Sequence, residues 1–248
     1  MRLPSADYFA DLVKAISAVV EEGTFTIDGS SMRLTSMDPA HISLVNFELS
    51  KSAAEEYSCE RPVEMTVSIN ELYKLLSRAR KNESLILEYD DEKKNLTVIL
   101  ANPAASTERS FTLNALETAT GKTATPNLTF EARARVNADA LKDAIEDASL
   151  VSDYTKVTIA PDAVMFSSKG ELGTHQTRFI RGGTAVYEIE TDKEVSANFS
   201  LTYLEKIIKP GKSLADETVI ELSTNRPIKL AFPIPSGKLE YLIAPRIE

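Results

Sequence analysis

The chain has 248 residues, 43% of them hydrophobic and 26% charged, and its 28 basic and 37 acidic side chains give a net charge of -9. This composition excludes a disordered, fibrous or disulfide-rich protein, and no apolar run approaches the ~20 residues of a membrane helix. The acidic balance argues against a protein that coats nucleic acid with its whole surface, but it allows a basic face on an acidic body. A single cysteine and the lack of a basic start followed by an apolar stretch predict a cytoplasmic location.

The first half of the chain is predicted to combine two helices with short strands. Pro4-Ser5 starts a helix that runs to about residue 20, and Ser68 caps a second helix over residues 69–81. The turn Asp38-Pro39 separates two strands. Strands with alternating apolar residues are predicted at 25–27, 32–36, 42–49, 63–68, 85–89, 96–100 and 110–113.

The second half starts after a segment of Ala, Thr, Gly and Pro over residues 114–127, which is typical of an extended linker. A third helix is predicted over residues 139–150, and Ser200 is predicted to cap a fourth. Strands are predicted at 156–160, 164–168, 176–180, 185–189, 195–199, 219–222, 228–232 and 239–243.

One offset of 132 residues aligns the two halves. It places Asp7 on Asp139 and Ser68 on Ser200, and it keeps the apolar positions of the second and fourth helices in phase. Agreement in element order, caps and core phase indicates two copies of one domain. The predicted fold class is α+β, with two similar domains (residues 1–113 and 128–248) that each pack two helices on antiparallel sheets and are joined by the linker 114–127.

Charged residues are distributed differently on the four helices. The second and fourth helices carry lysines opposite their apolar arcs, Lys74 matching Lys206, and repetition at the same phase favours a functional surface over an ordinary solvated face. On the third helix Asp139, Asp143 and Asp147 lie four residues apart and form an acidic stripe that repels itself. The stripe therefore predicts a cationic partner, for which Arg78, Arg80, Lys81 and Arg109 are candidates, including across a subunit boundary.

Catalytic and metal-binding patterns are absent from the sequence. The segment Thr120-Gly121-Lys122-Thr123 lacks the earlier glycine of a phosphate-binding loop. His41 and His175 have no metal-ligand spacing, and Cys59 has neither a nearby histidine nor a CxxC partner. No catalytic residue, metal or cofactor is predicted, and the protein is not expected to be an enzyme.

Several segments resemble the sliding clamps of the proliferating cell nuclear antigen family, of archaeal type. They are Ser36-Met37-Asp38-Pro39-Ala40-His41-Ile42-Ser43-Leu44-Val45, Gly170-Glu171-Leu172-Gly173, the start of the fourth helix at residues 199–204, and the terminal Leu242-Ile243-Ala244-Pro245-Arg246-Ile247-Glu248. The resemblance runs from end to end. It implies the DNA-clamp fold and a trimeric ring, with strands outside and helices lining a hole through which duplex DNA passes without sequence readout.

The resemblance further implies a processivity factor for DNA replication and repair. Basic residues of the lining would face the DNA backbone, and they are Lys14, Lys74, Arg78, Lys81, Lys142, Lys206, Lys209 and Lys212. The implied partners are DNA polymerase, a clamp loader, flap endonuclease and DNA ligase, which dock short peptides on the outer face. The protein would act on chromosomal DNA in an archaeal cytoplasm, or in the nucleus of a eukaryote.

Carried over position by position, the family's peptide pocket falls on the first-domain loop, the linker and the C-terminal tail. The residues are Met37, His41, Leu44, Val45, Thr123, Thr125, Pro126, Pro227, Leu242, Ala244, Pro245 and Ile247. The linker members lack the large aliphatic residues that the family has there. The pocket is therefore predicted to depend mainly on the loop and the tail.

The resemblance implies a ring interface between the last strand of one first domain and an edge strand of a neighbouring second domain, at about residues 107–113 and 174–181. Under this hypothesis Asp139, Asp143 and Asp147 face Arg78, Arg80 or Arg109 across the joint. Two alternatives stay open: one subunit of a heterotrimeric clamp, and a two-domain β-rich adaptor or enzyme that does not encircle DNA.

Overall fold

The computed structural model describes residues 1–117, 123 and 125–246, and the chain divides into two compact units. Unit 1 comprises Met1–Pro39, Val45–Thr125 and Ile234–Lys238, and unit 2 comprises Ala40–Leu44, Pro126–Pro233 and Leu239–Glu248. Residues 40–44 and 234–238 thus belong to a different unit from the residues on either side of them. The domain boundaries at 113 and 128 stay a prediction.

Unit 1 contains two helices and two antiparallel sheets. The sheets have the strand orders β1-β6-β7-β8 and β4-β3-β2-β5. In chain order the elements are β1 (Arg2–Leu3), α1 (Ala6–Ser17), β2 (Glu22–Ile27), β3 (Ser31–Met37), β4 (Ser43–Ser50), β5 (Val63–Ser68), α2 (Ile69–Leu76), β6 (Ser84–Asp90), β7 (Asn95–Asn102) and β8 (Thr107–Asn114), with single 3-10 turns at Lys51–Ala53 and Pro103–Ala105. The first two residues of β4 are counted with unit 2.

Unit 2 repeats this arrangement. Its sheets have the strand orders β12-β11-β10-β14 and β13-β9-β15-β16-β17. The elements are β9 (Ala132–Asn137), α3 (Ala138–Ser149), β10 (Tyr154–Ala160), β11 (Ala163–Gly170), β12 (Gly173–Ile180), β13 (Val186–Glu190), β14 (Val195–Ser200), α4 (Leu201–Lys212), β15 (Glu217–Leu222), β16 (Ile228–Phe232) and β17 (Gly237–Ile243). The first two residues of β17 are counted with unit 1.

The structure confirms the two-domain α+β fold and its internal repeat. Helices α1 and α3 begin and end at positions 132 residues apart, and so do the starts of α2 and α4. The side chains of Ser5 and Asn137, at matching positions, accept hydrogen bonds from the third backbone N–H beyond them. In each unit the two helices pack side by side, and their apolar faces are buried, as Phe9 and Ile16 show on α1.

Four sequence predictions need correction. Helix α2 ends at Leu76, so Arg78 and Lys81 lie beyond it. Ser200 precedes α4, but its side chain makes no capping hydrogen bond. Strands β1 and β9 were missed, because β1 has two residues and β9 places small alanines at two of its three buried positions, which gives a weak apolar pattern.

No described helix has both the length and the apolar character that crossing a membrane requires.

Candidate nucleic-acid interface and docking surface

Two of the three lysines of α4 form ion pairs with carboxylates of α3. Lys212 Nζ lies 2.7 Å from Asp139 Oδ1, and Lys209 Nζ lies 3.6 Å from Glu146 Oε1. Lys209 also approaches Glu205, one turn earlier on its own helix, at 3.5 Å. Ion pairs of this kind weaken the attraction between a lysine and any further anion. Two of the three α4 lysines predicted to face DNA are therefore already paired inside unit 2.

Charged residues within α3 also form ion pairs with one another. Lys142 Nζ donates to Glu146 Oε2 at 2.8 Å and lies 3.5 Å from Asp143 Oδ1. The hydrogen bond with Glu146 raises the pKa of Lys142, and the same bond lowers the pKa of Glu146. Within unit 2, Asp139 and Asp143 thus have cationic partners. The proposed pairing of the stripe with Arg78, Arg80 or Arg109 of a neighbouring copy stays a prediction.

The other predicted DNA-facing residues are exposed and make few ion pairs among the described residues. Lys14 is exposed in the last turn of α1, and Lys74 Nζ lies 3.8 Å from Glu71 on α2. Arg78 and Lys81 are exposed in the segment after α2. Lys206 is exposed on α4 and forms no ion pair with any residue that the structure describes. Lys206 is therefore the α4 lysine most available to a phosphate.

Two sheet edges contain the segments of the predicted ring interface. Strand β8 is the last strand of its sheet in unit 1, and β12 is the last strand of its sheet in unit 2. Ile180, at the end of β12, is 60% exposed although it is a large apolar residue. Edge strands present unpaired backbone groups that pair readily with another chain. Both edges are thus suited to antiparallel pairing with a second copy.

Arg109 on β8 is held inside its own unit. Its guanidinium donates to both carboxylate oxygens of Glu83, at 2.8 and 2.7 Å, and to the backbone oxygen of Arg78 at 3.0 Å. Glu83 is buried and also accepts from the backbone N–H of Arg80 at 2.7 Å. Burial acts to raise the pKa of Glu83, but the bonds from Arg80 and Arg109 outweigh it and hold this pKa below its ordinary value. Arg109 therefore has a structural partner besides the predicted intersubunit one.

The predicted docking residues differ in exposure. Leu44 and Val45 are buried in the core, at 2% and 0% exposure, so their side chains do not form a peptide-contacting surface, which corrects that part of the prediction. Ile247 lies outside the described residues. The remaining members are exposed or half-buried: Met37, His41, Thr123, Thr125, Pro126, Pro227, Leu242, Ala244 and Pro245.

Within unit 2, the C-terminal tail is fixed by backbone hydrogen bonds. The N–H of Ala244 donates to the carbonyl of Ile42 at 2.8 Å, which holds the tail beside the segment Ala40–Leu44. Two residues later the N–H of Arg246 donates to the carbonyl of Asn198, also at 2.8 Å. Sequence reasoning placed the predicted pocket on the loop and the tail but did not include Arg246, whose backbone hydrogen bond connects the tail to β14.

Comparison with known proteins assigns both halves of the chain. The family description "Proliferating cell nuclear antigen, N-terminal domain" matches residues 1–120, and the C-terminal domain of the same family matches residues 124–247. A relative from Pyrobaculum aerophilum, named DNA polymerase sliding clamp 1, is 30% identical over 244 residues and covers 98% of this chain and 96% of its own. The DNA polymerase sliding clamp of Thermococcus onnurineus is also 30% identical, over 97% of this chain and 95% of its own.

The solved structures agree with the sequence relatives. A crystal structure of PCNA from Thermococcus kodakaraensis superimposes with a TM-score of 0.92 at 25% identity, and the match covers 99% of both chains. Among the described residues, no group of three or more His, Cys, Asp or Glu side chains is arranged to hold a metal ion. The two matched domains and the shared fold show that this chain belongs to the proliferating cell nuclear antigen family.

Proposed function

We propose that this protein is a DNA sliding clamp, a ring that encircles duplex DNA without reading its sequence and tethers a DNA polymerase to it. The observation that carries this function is the duplicated unit, whose second helices place Lys74 and Lys206 at equivalent positions, in a chain matched to the clamp family over both domains. The family works as a non-enzymatic processivity factor.

The charge of the protein fits a topological hold on DNA. A helix of 12 residues spans ~18 Å, over which a duplex carries about ten phosphate charges. The net charge of -9 per chain and the paired state of Lys209 and Lys212 leave only weak attraction for that backbone. Weak phosphate contacts without base readout allow sliding, and a closed ring prevents sideways dissociation.

The test of encirclement compares circular and linear DNA. The protein is loaded on nicked circular duplex and then isolated by gel filtration in moderate salt, before and after a single restriction cut. We expect retention on the circle and loss from the linear product, whereas a linear duplex with blocked ends should retain the protein. Equal retention on open linear and circular DNA would rule out a topological clamp.

The ring is proposed to be a homotrimer formed by pairing β8 of one copy with β12 of the next. Support comes from the two free edges within the described structure and from the exposed Ile180 on β12. The comparisons do not favour the heterotrimeric alternative. Light scattering should give about three times the chain mass of 27.2 kDa. A monomer over the whole concentration range would contradict the homotrimer.

The acidic stripe is proposed to make a smaller, electrostatic contribution to the stability of this interface. Asp147 is exposed, and it is the stripe member without an ion pair among the described residues. Arg78 and Arg80 are exposed in unit 1 and are suitable partners from a neighbouring copy. Charge reversal of Asp147 should weaken the trimer more at low salt than at high salt, because screening reduces contacts between exposed charges.

Partner enzymes are proposed to dock short peptides on the loop and tail residues. DNA polymerase is the partner that the clamp family supports, and a clamp loader, flap endonuclease and DNA ligase are proposed to share the site. The test screens overlapping peptides of the organism's replicative polymerase for binding, and it then compares Met37→Ala with wild type. Met37 is half-buried and suits this test, whereas Leu44→Ala would also create a core cavity that costs about 2 to 5 kcal/mol.

A further inference from the structure

A concave pocket of about 560 Å³ lies in unit 2, over the sheet formed by β12, β11, β10 and β14. Strand β10 contributes Lys156, β11 contributes Lys169, and the C-terminal tail contributes Arg246. Apart from His175, the other lining residues are uncharged and carry hydroxyl or amide groups. None of the lining residues is acidic, although the whole chain has a net charge of -9. The pocket is thus a local basic site on an acidic protein.

Strand register arranges part of this lining as one row across the sheet. Asn198 on β14 and Ser167 on β11 are both registered with Lys156 on β10, and Gln176 on β12 is registered with Ser167. An isolated bridge adds Arg246 next to Asn198 at the end of the row. Neighbouring strands lie about 4.8 Å apart, so the row presents donors along roughly 19 Å.

The pocket faces away from the helices of unit 2. On β10, Lys156 is exposed while its neighbours Thr155 and Val157 are buried, because successive side chains of a strand point to opposite faces. Helix α3 packs against β10, β11 and β12 on the buried face. The pocket is therefore separate from the predicted DNA-facing lysines of α3 and α4.

The three cations of the pocket lack the carboxylate partners that other basic residues of unit 2 have. Lys209 and Lys212 are paired with α3 carboxylates, and Arg133 and Arg135 are paired with glutamates of unit 2. By contrast, Lys156, Lys169 and Arg246 form no ion pair with a carboxylate of the described residues. Their charges are available to an external anion.

Arg246 is held by two contacts within unit 2. Its guanidinium carbon lies 3.9 Å from the ring centroid of Tyr154, and its backbone N–H donates to Asn198. A guanidinium stacked on an aromatic ring keeps its N–H edge available for a planar bidentate contact, which suits a carboxylate. The stacking also limits the side-chain freedom that is lost on binding.

We propose that this pocket binds an acidic segment of a partner protein, next to the peptide that docks on the loop and tail. The inference rests on the proposed docking function, because continuity along the tail connects the two sites. Ala244, which belongs to the docking set, is two residues or about 7 Å from Arg246. A partner peptide seated at Ala244 and Pro245 therefore has its adjacent residues within reach of Arg246 and Lys156. Carboxylates in those residues are complementary to the row.

The test uses the polymerase peptide that binds in the docking screen, extended at either end by four glutamates or by four glutamines. Fluorescence anisotropy measures the affinity of each peptide for the whole protein. At about 0.05 M salt we expect one glutamate extension to bind about tenfold more tightly than its glutamine counterpart, and at about 0.5 M salt we expect this difference to vanish.

The variant for this test is Lys156→Gln combined with Lys169→Gln, and the control is Lys51→Gln, which removes one exposed lysine of unit 1. The double variant should lose most of the tenfold gain and keep the affinity of the glutamine peptide, while the control should keep both. The trimer mass and circular dichroism of each variant check its fold.

Each failure has a distinct meaning. If no polymerase peptide binds, the proposed docking function is wrong. If the glutamine peptide binds and the glutamate extensions add nothing, or the double variant keeps the gain, the acidic-segment site is wrong while docking stands. Loss of duplex DNA retention in the double variant, with unchanged peptide binding, would overturn the inference and assign the pocket to nucleic acid.

Discussion

The two units contain the same pair of helices, but they hold the end of the second helix in different ways. In unit 2, α4 continues to Lys212 and packs Gly211 against Phe232, where a Cβ on the glycine would come within 2.4 Å of the ring. In unit 1, α2 ends at Leu76, and the following segment is fixed by the buried carboxylate of Glu83. The two units thus share the same order of helices and strands, but the contacts at the ends of α2 and α4 differ.

The ion pairing of the basic residues also differs between α4 and the end of α2. The longer α4 carries Lys209 and Lys212 alongside α3, where carboxylates pair with them. The shorter α2 leaves Arg78 and Lys81 on an exposed segment. In the proposed clamp, the second helix pair carries one lysine without an ion pair among the described residues, Lys206, whereas the first helix pair and the segment after α2 carry several exposed cations. We infer that unit 1 contributes more of the electrostatic attraction to DNA.

The largest expected effect comes from breaking the helix end of unit 1. Arg109→Ala leaves Glu83 buried without its guanidinium partner, and it should lower the free energy of unfolding by about 2 kcal/mol at neutral pH. Urea unfolding at fixed protein concentration measures this loss. Arg61→Ala is the matched control, because it removes a more exposed pair with Asp91 and should change the free energy of unfolding far less.

The pH dependence of this loss has a defined sign. The pKa of Glu83 is lowered in the folded protein, so its stabilisation is present above the ordinary glutamate pKa and is lost as the pH falls through the folded value. The difference between wild type and Arg109→Ala should therefore shrink below about pH 4. A difference that stays constant or grows in acid would show that Glu83 is not the group that Arg109 stabilises.

A smaller effect is expected from breaking the helix end of unit 2. Gly211→Ala places a methyl group against the Phe232 ring and should destabilise the protein by about 1 kcal/mol, although alanine favours a helix over glycine. Hydrogen exchange should become faster in α4 and stay unchanged in α2. Gly29→Ala is the control, since its Cβ meets no atom within 4 Å. A more stable Gly211→Ala variant would mean that the contact does not restrict the helix.

The sequence was sufficient for the features that depend on local pattern. Ser5 and Ser68 both cap their helices as predicted, and the 132-residue repeat is confirmed at the helix starts. The end of α2 was not predictable, because Ala79 continues the apolar phase and the contact that stops the helix comes from Glu83 and Arg109, which are apart in sequence. The burial of Leu44 and Val45 was also missed, since alternation does not reveal that both faces of a strand are covered.

The smallest expected effect tests the charge difference between the helix pairs. Glu146→Gln releases Lys142 and Lys209 from their shared carboxylate and should strengthen duplex binding about threefold at low salt, with a steeper salt dependence. Anisotropy of a labelled duplex measures both quantities. Glu71→Gln is the matched change in unit 1, where Lys74 lies 3.8 Å away and its side chain is 75% exposed, so little charge is released. An equal gain from both variants would mean that α4 is no more neutralised than α2, and the difference between the two units would then be one of helix length alone.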